Sequence, residues 1–150
     1  MTPRELGFRM PAEWEKQAAI WLTWPTNPAL WPGHFDLLLP QYAAFVAAIS
    51  RFEPVRMNCA AGTLREQAEK FLREAGADLS VVEFFDHPAN DVWCRDHGPL
   101  FVKNDATGEV ALTDWIFNGW GGKFDAKLDD EIPARIAEAL GMRRFAFPFE

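Results

Sequence analysis

Short apolar runs ended by Pro, Gly or Asn alternate along this chain with stretches whose apolar residues recur every three or four positions, and few folds satisfy both periods in turn. A strand shows alternate side chains to one face while a helix repeats every 3.6 residues, so the alternation calls for an α/β fold built from repeated small units. Residues 18–24, Ala-Ala-Ile-Trp-Leu-Thr-Trp, are stopped by Pro25 and predict a buried strand running into a loop. Phe35, Leu38, Leu39, Tyr42, Phe45, Val46 and Ile49 mark an amphipathic helix whose start falls near Pro40. Residues 55–59 predict a second strand, and Thr63 with Glu66 forms a capping box opening a helix to Ala75, with Gly76 as its stop. Residues 79–84 predict a third strand. Further on, 100–102 and 110–117 predict a hairpin around Asn104 and Gly108, followed by a helix over 129–140 stopped by Gly141 and a strand over 143–147. There is no sequence repeat.

A chain of 150 residues can bury roughly two-thirds of its unfolded surface, and 49% apolar with 14% aromatic residues supplies a core, so residues 1–150 are expected to fold and could form one compact domain. The net charge of −7, with no basic run longer than Arg143-Arg144, argues against a nucleic-acid groove. No apolar run has the length of a signal peptide or a membrane span, so the expected setting is cytoplasmic and away from the membrane. Cys59 and Cys94 sit in no CxxC pair, which argues against a disulfide framework or a zinc site, and no metal is expected. The chain stops at Phe147-Pro148-Phe149-Glu150, on an apolar strand with neither tail nor cap, and is expected to be a piece of something longer.

Chemistry concentrates in ten positions, Asn90-Asp91-Val92-Trp93-Cys94-Arg95-Asp96-His97-Gly98-Pro99, between two predicted strands. On a strand-like path Asp91, Trp93 and Arg95 share one side and Val92, Cys94 and Asp96 the other, so Trp93 and Asp96 meet only if the chain turns near Arg95. A carboxylate such as Asp96 can accept two parallel N–H bonds from a planar guanidinium. A structural Arg95–Asp96 or Asp91–Arg95 ion pair, or a cap, is the stronger expectation from spacing alone. The tryptophans can stack on a cation but more often pack a core. His97 beside Asp96 is a candidate general base, yet no Ser or Cys is clearly placed for it to activate, and a lone histidine, as with His34 and His87, is usually satisfied structurally. Cys94 beside Arg95 invites thiolate formation, though a buried inert thiol is commoner. The glycines of 117–124, Phe-Asn-Gly-Trp-Gly-Gly-Lys-Phe, can cradle an anion but lack P-loop spacing.

Three ordered blocks carry a resemblance: MPAEWEKQAAIWLTWP (10–25), NDVWCRDHGPLFV (90–102) and DWIFNGWGGKFD (114–125) with Asp129-Asp130 after it. Together they resemble the agmatine deiminases of the peptidylarginine-deiminase-like group, over nearly the whole chain but only the first two-fifths of a family member. The resemblance implies a pentein, an α/β propeller of five ββαβ modules, of which about two would be present. It implies hydrolysis of agmatine to N-carbamoylputrescine and ammonia by way of a covalent cysteine intermediate, with no cofactor. Asp96 falls on the Asp of the family's W-x-R-D-x-G-P motif and would hold the guanidinium. Trp93 is that motif's Trp and a pocket wall, with Asn90 and Trp120 as further pocket or loop-positioning residues. The family's Glu-Gly-Gly motif, His with nearby Asp, and late nucleophilic Cys lie beyond the chain, unless Glu150 opens the first of them. Cys94 does not match the nucleophile's place. The fragment alone is therefore expected to be inactive and to need the remainder of its chain, or self-association into a homo-oligomer, to cover apolar faces. A deiminase acting on arginine or peptidyl-arginine, and a non-catalytic Trp-rich binding module, are the alternatives.

Overall fold

The computed structural model describes residues 1–147, so Glu150 lies outside the described residues. The chain divides into two units, Gln17–Cys94 on the one hand and Met1–Lys16 with Arg95–Glu150 on the other.

In Gln17–Cys94, strands β1 (Ile20–Thr23), β2 (Val55–Asn58) and β3 (Val82–Phe85) form a parallel sheet in that order, with Leu22 opposite Met57 and Met57 opposite Phe84. Parallel neighbours need crossovers, and two amphipathic segments supply them. They are α1 (Phe35–Ile49) and α2 (Thr63–Glu74), which pack against each other. Leu39, Ala43 and Val46 of α1 and Ala68 and Leu72 of α2 close on Leu22, Val55 and Met57 in one core that also takes in Trp24 and Cys59. Trp24 is fully buried, with its ring edge-to-face against Tyr42 at 5.7 Å.

The helix α1 begins at Phe35, one turn before Pro40, which sits inside it and forfeits one backbone bond. No capping box opens α2. Thr63 is already helical, and Gly62 at φ 80° takes the capping position, its carbonyl accepting from the Glu66 N–H at 3.1 Å. The stop is as expected: Gly76 adopts φ 76°, and the Ala77 N–H reaches back to the Leu72 carbonyl at 2.9 Å. The third strand starts late, because Asp78 accepts from the Ser80 N–H and winds Leu79–Val81 into a 3-10 turn.

In the other unit, β4 (Leu100–Lys103) and β5 (Val110–Trp115) form the expected antiparallel hairpin, and the helix Ile132–Leu140 crosses over to bring β6 (Arg143–Phe147) parallel to β5. Strand, strand, helix and strand thus make one ββαβ unit, with the helix packed on β5. The Asn104 carboxamide oxygen accepts from the Ala106 and Thr107 N–H groups and shapes the hairpin loop. Helical backbone starts earlier than the sequence suggests, at Lys127, and is interrupted before Ile132, where Pro133 has no N–H to continue the ladder. The N-terminal segment joins this unit through a two-way backbone pairing of Arg9 with Lys103, at 2.9 Å each way, and through the buried Phe8 ring against Phe145. Around it Arg9, Glu15, Lys103 and Asp105 form an exposed ionic cluster. Exposed pairs hold weakly, so the backbone pairing and Phe8 carry the attachment.

No helix among the described residues is long and apolar enough to cross a membrane. Leu72, fully buried between α2 and the first sheet, gives a direct check on the core. Leu72→Ala should lower unfolding stability by roughly 2–5 kcal/mol in a denaturant titration, from lost burial plus the cavity left behind.

Candidate functional site

Asp96 lies on a single helical turn, Cys94–His97, where a strand-like path was expected, so the alternate-face pattern does not apply. The turn sends neighbouring side chains opposite ways: His97 is 1% exposed, while Asp96 is exposed. The His97 ring lies 6.3 Å from that of Phe117. Among the described residues neither Arg95 nor Asp96 enters an ion pair, so the Arg95–Asp96 pair favoured by spacing is not made. What Asp96 does hold is a hydrogen bond from Trp120 Nε1 to its Oδ1 at 3.1 Å, spanning 24 positions of sequence.

That contact depends on an unusual backbone. Gly119 (φ 62°), Trp120 (φ 56°, ψ 48°), Gly121 (φ 83°, ψ 34°) and Gly122 (φ 76°) form one left-handed turn. Left-handed backbone costs an L-residue roughly 1–2 kcal/mol, which is why glycine occupies three of the four places. Asn118 holds the turn from one side, its side chain accepting from the Gly121 N–H and its carbonyl from the Gly122 N–H, both at 2.8 Å. The Lys123 N–H closes it onto the Gly119 carbonyl at 3.1 Å. The Gly121, Gly122 and Lys123 N–H groups are thus spent inside the turn and are not available to an anion. The Trp120 ring meets Phe117 at 5.1 Å and Phe124 at 5.7 Å, nearly perpendicular to both.

The other candidates lie in the unit Gln17–Cys94. Trp93 is 46% exposed and Asn90 half-buried, in the loop following β3. Asp91 Oδ1 accepts from the Val92 N–H at 2.7 Å, giving that loop a local brace. At the carboxyl ends of the parallel strands a polar chain runs through this unit. Cys94 Sγ is 3.0 Å from Thr23 Oγ1, Asn58 Nδ2 donates to Thr23 Oγ1 at 3.1 Å, and Asn58 Oδ1 is 2.9 Å from His87 Nδ1. Sequence reasoning missed this chain, since its members come from four separate segments. Cys59 is buried, and desolvation pushes its thiol up to about 11, so it is protonated and unreactive at neutral pH. Asp114, ion-paired with Arg144 at 3.1 Å, has its carboxyl raised by burial, with Asp130 adding to the effect and Arg144 opposing it. No cluster of three or more His, Cys, Asp or Glu able to hold a metal occurs among the described residues.

Trp24 is in the core, Trp21 lies 4.8 Å from Phe85, and Trp115 stacks on Phe147 at 4.5 Å.

The family model of the Porphyromonas-type peptidyl-arginine deiminases matches residues 9–149. The chain belongs to that family. An agmatine deiminase of Pseudomonas aeruginosa (strain LESB58) is 40% identical over 149 residues, covering 96% of this chain and 39% of the relative. An agmatine deiminase of Pseudomonas putida (strain KT2440) is 39% identical over 150 residues, with the same coverage. The solved agmatine deiminase of Enterococcus faecalis superposes with a TM-score of 0.81 at 31% identity, over 97% of this chain and 39% of that one. This deiminase-family chain thus spans about two-fifths of the length of the curated relatives it matches, and its mixed α/β sheets are those of its solved neighbours.

The left-handed turn yields a paired prediction. A Cβ on Gly119 would stand 2.3 Å from the Phe124 carbonyl oxygen, whereas one on Gly121 meets nothing within 4 Å. Gly119→Ala should therefore cost roughly 2–5 kcal/mol, from backbone strain plus overpacking, and Gly121→Ala only the strain of roughly 1–2 kcal/mol, as read by denaturant unfolding.

Proposed function

We propose that this chain is the N-terminal, guanidinium-holding part of an enzyme that hydrolyses agmatine to N-carbamoylputrescine and ammonia. The observation that carries the proposal is the Asp96 carboxylate, exposed, free of any ion pair among the described residues, and hydrogen-bonded by the Trp120 indole. A flat cation can lie against such a carboxylate with two parallel N–H bonds, a pairing that is both strong and directional. Curated relatives named agmatine deiminase support the substrate. Trp93, exposed in the loop before the helical turn, is the proposed pocket wall, and Asn90 positions that loop.

The chemistry would proceed by attack of a cysteine thiolate on the guanidinium carbon, loss of ammonia, and hydrolysis of the amidino-thioether by water, a histidine handling the protons. The proposed nucleophile is a cysteine of the part of the enzyme that this chain, at 39% of its relatives' length, does not span. Neither cysteine of the chain suits that role, since Cys59 is buried with its thiol held protonated and Cys94 lies against Thr23 in the polar chain. The unit β4–β5–helix–β6 is a ββαβ module, which supports a propeller of such modules completed by the rest of the enzyme. The apolar side chains left at the surface, among them Ile116, Phe124 and Trp115, support burial against that remainder or against a second copy. The proposed setting is the cytoplasm, with no cofactor. An alternative substrate, arginine or peptidyl-arginine, has the family description in its favour, and side-by-side assays with agmatine decide between them.

In the complete enzyme, Asp96→Asn should cut agmatine hydrolysis by several orders of magnitude while leaving circular dichroism and melting unchanged, because an amide offers one acceptor oxygen and no charge. Activity within about tenfold of the parent would remove Asp96 from the mechanism.

A further inference from the structure

We propose that Trp120 is a positioning residue that fixes the direction of the Asp96 carboxylate, rather than a wall against which substrate stacks. The proposal rests on Asp96 holding the guanidinium.

Three observations converge. Trp120 is the only non-glycine residue with positive φ among those described, so the chain keeps a bulky side chain where glycine would be unstrained. Such strain survives only when the surroundings over-determine it, and Asn118 supplies that restraint through two hydrogen bonds to the turn. Second, the indole has one donor and spends it on Asp96 Oδ1. Third, Phe117 and Phe124 hold the ring edge-to-face at 89° and 86°, which fixes the direction of its N–H.

A carboxylate has about four lone-pair sites, and one bond from the indole removes one of them while restricting rotation of the group. Both oxygens keep room for the parallel N–H bonds of a guanidinium. The left-handed turn therefore sets the plane in which the cation would lie, and with it the line of approach to the guanidinium carbon. A misplacement of about 1 Å can cost a hundredfold in rate, so this aim has catalytic weight.

Trp120→Phe tests the idea, since it keeps an aromatic ring on the same backbone and removes only the N–H donor. In the complete enzyme with agmatine, kcat should fall about 10- to 100-fold with KM changed less. In an Asp96→Asn background the same substitution should change the residual rate by less than about twofold, because its effect passes through the carboxylate. A merely structural role would instead give multiplying losses. The indole N–H signal of Trp120, assigned by its disappearance in Trp120→Phe, should move in Asp96→Asn. Parental kinetics for Trp120→Phe, multiplying losses, or an unmoved signal would overturn the proposal. If the parent enzyme does not hydrolyse agmatine, the proposed function falls, and the indole signal alone then decides whether Trp120 engages Asp96. If Trp120→Phe does not fold, the signal in Asp96→Asn, assigned on the parent, decides it.

Discussion

Four successive residues wound left-handed put the Trp120 indole within reach of Asp96, and the functional account depends on that constraint. The backbone there is unfavourable for tryptophan by roughly 1–2 kcal/mol, and glycines at 119, 121 and 122 keep the total from growing. Asn118 compensates by taking up N–H groups that would otherwise lack partners. The bond it makes possible ties the segment after β5 to the turn before β4, two places joined through the hairpin between them.

Each unit is otherwise built by ordinary means. In one unit a parallel sheet with two helices buries Trp24, Met57 and Leu72, and its strands deliver Thr23, Asn58 and His87 to one polar chain at their carboxyl ends. Carboxyl ends of parallel strands are where α/β folds commonly assemble binding groups. In the other, β4 follows the turn that holds Asp96 and β5 precedes the turn that holds Trp120. Loops carried between strands can keep an exposed carboxylate in a fixed place.

Much of the fold was legible in the sequence because it was written in periodicity. The apolar spacing from Phe35 to Ile49 outweighed Pro40, since packing of that face exceeds the loss of one backbone bond. The hairpin about Asn104 followed from turn chemistry that leaves little alternative. Where a local polar contact decided the outcome, the pattern misled. Asp78 turned Leu79–Val81 away from strand, and Gly62 displaced the Thr63–Glu66 capping box. Asp96 is proposed as the guanidinium holder through a motif. Its partner was not legible, because a hydrogen bond across 24 residues leaves no periodic trace.

The most direct measurement is a structure of the complete enzyme, its nucleophile disabled, with agmatine bound. The account predicts two guanidinium nitrogens at about 2.7–3.0 Å from the two Asp96 oxygens, with the Trp120 indole still bonded to Oδ1. A guanidinium seated on other carboxylates, with Asp96 turned to solvent, would contradict it.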